Sequence, residues 1–279
     1  YGRFDFILAK DGTPKILEFN ADTPTSLLEA SVIQWQWKED VFPECDQFNG
    51  IHEGLVQSWK DIFPKKGEIY FAGALENNED TGTLQYLAST AMEAGFSTRV
   101  LDMQALDLQN GRFFDPAGEL VNRCFKLYPW EWMVDESPDG CLAEMEWLEP
   151  IWKLVMSNKA ILATLYELFP DSPYVLPCYL SRPRSGLFCK KPVFSREGHN
   201  VSVVDIRNWE EHVRIAETEG DYNTGAYVYQ EYVEPTVYSG RYPVIGSWII
   251  GGEAAGIGIR ENRMEVTDNL SEFVPHIIG

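Results

Sequence analysis

Residues Arg3 to Asp22 read Arg-Phe-Asp-Phe-Ile-Leu-Ala-Lys-Asp-Gly-Thr-Pro-Lys-Ile-Leu-Glu-Phe-Asn-Ala-Asp. Side chains alternate across a strand, so Arg3 and Asp5 share one face of a first strand, and Glu18 and Asn20 share one face of a second. Asp11-Gly12 between two apolar runs is a hairpin turn signal, which folds the strands together and gathers the four polar side chains. Asp5, Glu18 and Asn20 offer hard oxygens of the kind magnesium takes, and Arg3 offers a planar fork for a phosphoryl or carboxylate group. A half-exposed hairpin with solvated charges shows the same alternation, so both readings stand on spacing alone.

The chain has 279 residues, 44% of them hydrophobic and 13% aromatic, enough for one large domain or two smaller ones. Acidic residues outnumber basic ones 43 to 23, a formal charge of -20. No basic run exceeds Lys65-Lys66 or Lys190-Lys191, which argues against nucleic acid and anionic membranes as partners and favours a cationic one. Surface acidity for solubility explains the same balance. The five cysteines, Cys45, Cys124, Cys141, Cys178 and Cys189, show neither Cys-x-x-Cys nor zinc-ligand spacing, so a reducing cytoplasm is expected. No apolar stretch has the length of a membrane span. Because Tyr1-Gly2 sits inside a strand pattern without an initiator methionine, further sequence upstream is expected.

After the hairpin, helices are expected over Ser26 to Trp37 and His52 to Phe63. A strand at Ile69 to Leu75, a helix from Thr81 to Gly95 and a strand at Thr98 to Leu101 form a βαβ unit. Leu120 to Leu127 is read as a further strand and Glu144 to Met156 as a helix, giving a small parallel α/β layer over about 67 to 135. Asn158 to Phe169 reads as a helix. Short strands then follow at Leu187 to Pro192, Val201 to Val204, Ala226 to Tyr232, Tyr242 to Ile250 and Ala254 to Arg260, the pattern of an antiparallel sheet.

In this second half, Lys191 ends a strand before a loop carrying Arg196 and Gly198, a setting in which a lysine pairs with phosphates while the loop closes over them. An ordinary hairpin with one lysine fits the same residues. Lys159 is the other basic residue of interest. The Walker pattern Gly-x-x-x-x-Gly-Lys-Ser/Thr does not occur, which excludes the P-loop class. Gln230 and Glu231 end an apolar run fit either to read an adenine edge or simply to leave a strand. Glu79 and Asp80 directly precede the helix from Thr81; they serve its dipole or form a pocket for a protonated amine. Arg260 suits a phosphate, a carboxylate or a surface ion pair. Neither a histidine constellation nor a Gly-x-Ser-x-Gly elbow supports hydrolytic chemistry.

Arg-Phe-Asp-Phe with Leu-Glu-Phe-Asn-Ala-Asp-Thr-Pro-Thr-Ser, Tyr-Pro-Trp-Glu-Trp-Met at 128 to 133, Ser-Asn-Lys-Ala-Ile-Leu at 157 to 162, Lys-Pro at 191 to 192 with Arg-Glu-Gly, and Gly-Ile-Arg at 258 to 260 together resemble the synthetase domain of glutathionylspermidine synthase. The resemblance spans nearly the whole chain, in order, and looks like a stand-alone form without the amidase domain. It implies an α/β (α+β) ATP-grasp fold, circularly permuted so that the acid hairpin precedes the nucleotide lysines. Residues 1–64 are then expected to form the metal-binding part, 65–150 a pre-ATP-grasp-like βαβ domain, and 151–279 the nucleotide-binding part.

Carried over residue by residue, the resemblance implies that Asp5, Glu18 and Asn20 hold magnesium ions. Lys159, Lys191, Gly198, Gln230 and Glu231 would meet ATP, Arg3 and Arg260 would stabilise the phosphoryl group in transfer, and Glu79 with Asp80 would face the amine. Asp22, Thr25 and Ser26 would meet the acid substrate. Here the chain departs from the synthase, which carries a cysteine where Ser26 stands and serines where Thr23 and Thr25 stand. The implied activity is ATP-dependent amide formation through an acyl phosphate, with a peptide-like acid, such as glutathione, and an amine, such as a polyamine. A nucleotide- or polyamine-binding protein without turnover, and a peptide ligase closer to the D-Ala ligases, are the rival readings.

Overall fold

The computed structural model describes residues 1–196, 198–218, 220, 225–264 and 271–279, with 213–217 described by backbone alone; Glu197, in the expected phosphate loop, lies outside the described residues. The opening hairpin forms as its alternation requires. Strands Gly2–Leu8 and Pro14–Asn20 pair antiparallel with Arg3 opposite Asn20 and Asp5 opposite Glu18. Gly12 takes a φ of 83°, and the Asp11 carboxylate accepts the Thr13 N–H at 2.9 Å, so the turn is built by its own residues.

Two strands alone do not make a stable sheet in water. Strands from the far end of the chain complete this one: Tyr242–Ile250, Glu253–Asn262 and Glu272–Val274 add to it in sequence, with Gly2–Leu8 paired between Pro14–Asn20 and Tyr242–Ile250. Asp5 lies opposite Gly246, and the pairing with Pro14–Asn20 shifts register between Asp5 and Phe6. Such a bulge re-aims neighbouring side chains.

A parallel sheet follows, ordered Ser97–Asp102, Glu68–Gly73, Arg123–Leu127, Glu146–Leu148. Helices Ile51–Ile62 and Asn78–Glu93 bury Leu55, Trp59, Leu84 and Leu87 against Phe71 and Phe125 of this sheet and Trp248 of the first, so one apolar core joins the two layers. Burial of such side chains contributes about 1.5–3 kcal/mol each.

Three expectations change here. Leu120 to Leu127 is two strands, because Leu120–Val121 joins a small antiparallel sheet while Arg123–Leu127 joins the parallel one. Glu144 to Met156 is not one helix. Glu146–Leu148 is an edge strand held by an Arg123–Glu146 ion pair of 2.7 Å, and only Lys153–Ser157 is helical, since Pro150 disfavours helix in the residue before it. Glu79 and Asp80 lie within the first turn of their helix, which starts at Asn78 with the Asn77 side chain capping the Glu79 N–H.

The third layer is antiparallel: Cys178–Tyr179, Tyr227–Glu231, Gly186–Pro192, Ser202–Arg207 and Glu210–Glu217. The first and last of these strands, Cys178–Tyr179 and Glu210–Glu217, are absent from the sequence reading. The expected helix from Asn158 begins at Ile161 and ends at Leu168. This layer is tied to the opening hairpin by backbone bonds, Ile16 N–H to Tyr174 O at 2.9 Å and Thr236 N–H to Leu8 O at 2.7 Å.

Behind the hairpin the Asp22 carboxylate meets the Lys126 ammonium at 2.6 Å, both fully buried, and also accepts the Trp130 N–H at 2.9 Å. Burial pushes Asp22 up and Lys126 down, while their attraction opposes both shifts. Lys126→Met leaves a buried carboxylate without its cation and is expected to cost about 3–5 kcal/mol in urea unfolding. Adding Asp22→Asn to that variant is expected to recover most of the loss.

Candidate active site

The hairpin register sets Asp5 between two arginines. Arg3 donates from Nε and Nη2 to the two Asp5 oxygens at 2.6 and 2.9 Å, and Arg260 donates to Oδ2 at 2.6 Å. Arg3 also donates to the Thr25 carbonyl at 2.5 Å. Burial weakens the Arg3 cation, but Asp5 more than compensates and holds it charged above its ordinary value. Arg260 goes the other way, lowered by burial and by Arg3 while Asp5 opposes. Gly246 makes room for this arrangement, since a Cβ there would lie 2.7 Å from Arg3 Cδ.

Glu18 and Asn20, on the neighbouring strand, extend the cluster: the Asn20 amide lies 3.3 Å from Asp5 Oδ2 and 3.4 Å from Glu18 Oε1. Facing them from the third layer, Lys159 Nζ sits 2.9 Å from Glu18 Oε2 and donates to the Ser195 carbonyl at 2.7 Å. Lys191 donates to the Leu17 carbonyl at 3.1 Å and to Gln230 Oε1 at 2.7 Å. Burial raises the Glu18 carboxyl, yet Lys159 and Lys191 outweigh it and hold it at about 2. Burial lowers the Lys191 ammonium, against the pull of Cys189 and Glu18.

Two recesses meet at Glu18 and Gly198. One is a narrow groove walled by Ile7, Leu17, Leu176, Val201, Val203 and Val244, with Lys159 and Lys191 along it and Glu231 to Val233 at its end. Flat apolar walls with a strand edge suit a purine, and the lysines suit phosphates. Gln230 also lines this groove and is 2% exposed; its amide accepts from Lys191 at 2.7 Å and donates to Ile16 O at 2.8 Å, so it fixes the lysine.

The second recess, about 460 Å³, is lined by Arg3, Arg260, Arg196, Thr25, Ser26 and Glu79, with Glu29 and Asn77 on its rim. Ser26 enters it with a φ of 64°, a left-handed conformation uncommon for a residue with a Cβ. Asp80 follows Glu79 in the same helical turn and is half-buried. Asp22 is apart from this recess, enclosed with Lys126. The sequence places Arg196 only in a loop that closes over phosphates and gives Glu131 and Lys126 no role; Glu131 lies in the motif Tyr-Pro-Trp-Glu-Trp-Met, and Lys126 lies two residues before it.

Among the described residues no group of three His, Cys, Asp or Glu side chains forms a metal cluster. Asp5, Glu18 and the Asn20 amide are instead two carboxylates and an amide where the lysine-bearing groove and the second recess adjoin. That set fits magnesium, which takes one or two carboxylates and fills its remaining positions with water and phosphate oxygens.

The sequence profile described as "Glutathionylspermidine synthase preATP-grasp" matches residues 1–279. The chain belongs to this family. A Haemophilus influenzae protein carrying the provisional name acid–amine ligase is 39% identical over 99% of the chain and 74% of its own length. The trypanothione synthetase of Crithidia fasciculata is 28% identical and the bifunctional glutathionylspermidine synthetase/amidase of Escherichia coli K12 is 26% identical; the chain spans 46% and 49% of their lengths. These names place the family among carbon–nitrogen ligases. The fold is that of glutathione synthetase-like ATP-grasp proteins. A glutathione synthetase-like effector from Globodera pallida superposes with a TM-score of 0.63 at 11% identity, covering 100% of this chain and 76% of that one.

Two measurements test this geometry. Gly246→Ala pushes a methyl into the buried Arg3 and is expected to lower turnover by about tenfold or more, a loss of ~1.4 kcal/mol in transition-state binding, with a melting temperature lowered by the overpacking. Glu18 is held at about 2 against its ordinary 4.5, so its stabilising contribution is complete above pH 4.5 and is lost as pH falls toward 2. Glu18→Gln is expected to flatten that part of the acid limb in a series of denaturant melts.

Proposed function

We propose that the protein is an ATP-dependent acid:amine ligase that forms an amide bond through an acyl phosphate, in the manner of glutathionylspermidine synthase. The observation that carries this reading is the meeting of Glu18 with Lys159 at 2.9 Å, which puts the opening carboxylates and the phosphate-type lysines in one groove. ATP would lie in the apolar groove with its phosphates toward Lys159, Lys191 and Gly198. Asp5, Glu18 and Asn20 would hold magnesium, whose role is to offset charge on the phosphates.

Arg3 and Arg260 stand where the substrate carboxylate and the transferred phosphoryl group meet, and their fixed positions on Asp5 spare the reorganisation that water would require. The amine then displaces phosphate from the acyl group. Glu79 and Glu29, which both line the recess, would together with Asp80 attract a protonated amine. Glutathione as the acid and a polyamine as the amine are the finer part of the proposal. Residues 1–64 would supply the metal site, 65–150 one wall of the substrate recess, and 151–279 the nucleotide layer and Arg260. A cytoplasmic setting is consistent with five free cysteines. Among the described residues no helix is long and apolar enough to cross a membrane.

The test is ADP release with ATP and magnesium against a panel of acids and amines. Release that needs both an acid and an amine is expected, with amide formed in equal amount; nucleotide binding without turnover contradicts the proposal. Glu18→Ala is expected to abolish release, and near-normal activity in that variant would falsify the metal assignment.

A further inference from the structure

Arg196 joins three segments that are far apart in sequence. Its Nη1 donates to Thr23 Oγ1 at 2.5 Å, in the loop after the opening hairpin. Its Nη2 donates to Glu131, on the short helix Trp130–Glu136, and its guanidinium lies 5.9 Å from the Trp132 ring centre. Thr23 and Arg196 both line the substrate recess, while Glu131 stands behind Arg196 and is not part of the lining.

We infer that Glu131 is a positioning residue: it sets the Arg196 guanidinium at the wall of the substrate recess, where Arg196 meets the acid substrate. The inference rests on the ligase reading for the identity of that ligand and on the two Arg196 hydrogen bonds for the placement. An arginine side chain has many rotamers, a freedom that an unanchored Arg196 would lose at every binding event. A guanidinium has five N–H donors, and Thr23 and Glu131 engage it from two of its nitrogens. Its charge is therefore oriented before the ligand arrives.

The anchor is itself fixed. Trp130, the residue before Glu131, donates its backbone N–H to Asp22, the residue before Thr23. The two partners of Arg196 are thus held in register with each other by the buried Asp22–Lys126 pair. Side-chain exposures of 26% for Arg196 and 21% for Glu131 set the pair apart from a solvated surface bridge.

The first measurement is independent of activity: the rate at which trypsin cuts the native full-length chain after Arg196, read by mass spectrometry beside the melting temperature. Glu131→Ala is expected to raise that rate about tenfold at unchanged melting temperature, with Glu131→Gln, which keeps a hydrogen bond, closer to the parent. Equal rates in all three proteins overturn the placement. The second is ADP release with glutathione as the acid and spermidine as the amine. Glu131→Ala is expected to raise the KM for glutathione about tenfold with the KM for ATP unchanged, and adding it to Arg196→Ala is expected to cost nothing further. An unchanged glutathione KM, or full additivity with Arg196→Ala, overturns the role toward the acid. Should the parent protein release no ADP with any acid, the ligase reading fails, while the cleavage rates still decide whether Glu131 holds Arg196.

Discussion

Glu18 sits within ion-pair distance of Lys159 and has Lys191 as a second cationic neighbour, although 141 and 173 positions of chain separate it from them. Every other feature of the site depends on this approach. It requires the opening hairpin to pack against the nucleotide layer, and the backbone bonds from Ile16 and Leu8 to that layer hold it there. Lys191 reinforces the contact by bonding to the Leu17 carbonyl, and Gln230 does so through Ile16. The lysines are thus built into the seam between two layers, with their ammonium groups facing the carboxylates.

The charge distribution follows from the same seam. The chain carries a formal charge of -20, yet Arg3, Arg260, Arg196, Lys159 and Lys191 all line the two joined recesses. Three carboxylates offset these five cations in part: Asp5 meets two arginines, Glu18 meets Lys159, and Glu131 meets Arg196. Such a cluster of fixed charges in a recess favours polyanionic ligands and is preorganised for charge that develops during phosphoryl transfer. The acidic remainder of the surface suits a cationic second substrate.

Much of this was legible because strands alternate. The two-residue period and the Asp11-Gly12 turn were enough to bring Arg3, Asp5, Glu18 and Asn20 together, and the heptad-like spacing of Leu84, Leu87, Ala88 and Ala91 was enough to place a helix on the parallel sheet. What was not legible depends on pairing across the chain. Nothing near Asp5 announces that Gly246 will lie opposite and clear space for Arg3. The resemblance implies that Asp22 meets the acid substrate, and nothing local to it announces its buried ion pair with Lys126, distant in sequence. Glu144 to Met156 carries enough apolar residues for a helix, and Glu146 to Leu148 nevertheless pairs as an edge strand once Arg123 is beside it. No local motif announces that the Gln230 amide will join Lys191 to the Ile16 carbonyl.

The most direct measurement is a crystal structure of the protein with magnesium and a non-hydrolysable ATP analogue. The account predicts the β- and γ-phosphates between Lys159 and Lys191, the purine among Leu17, Val203 and Val244, and metal density against Asp5 and Glu18. A nucleotide bound anywhere else, with Glu18 and Lys159 still paired and undisturbed, would contradict it.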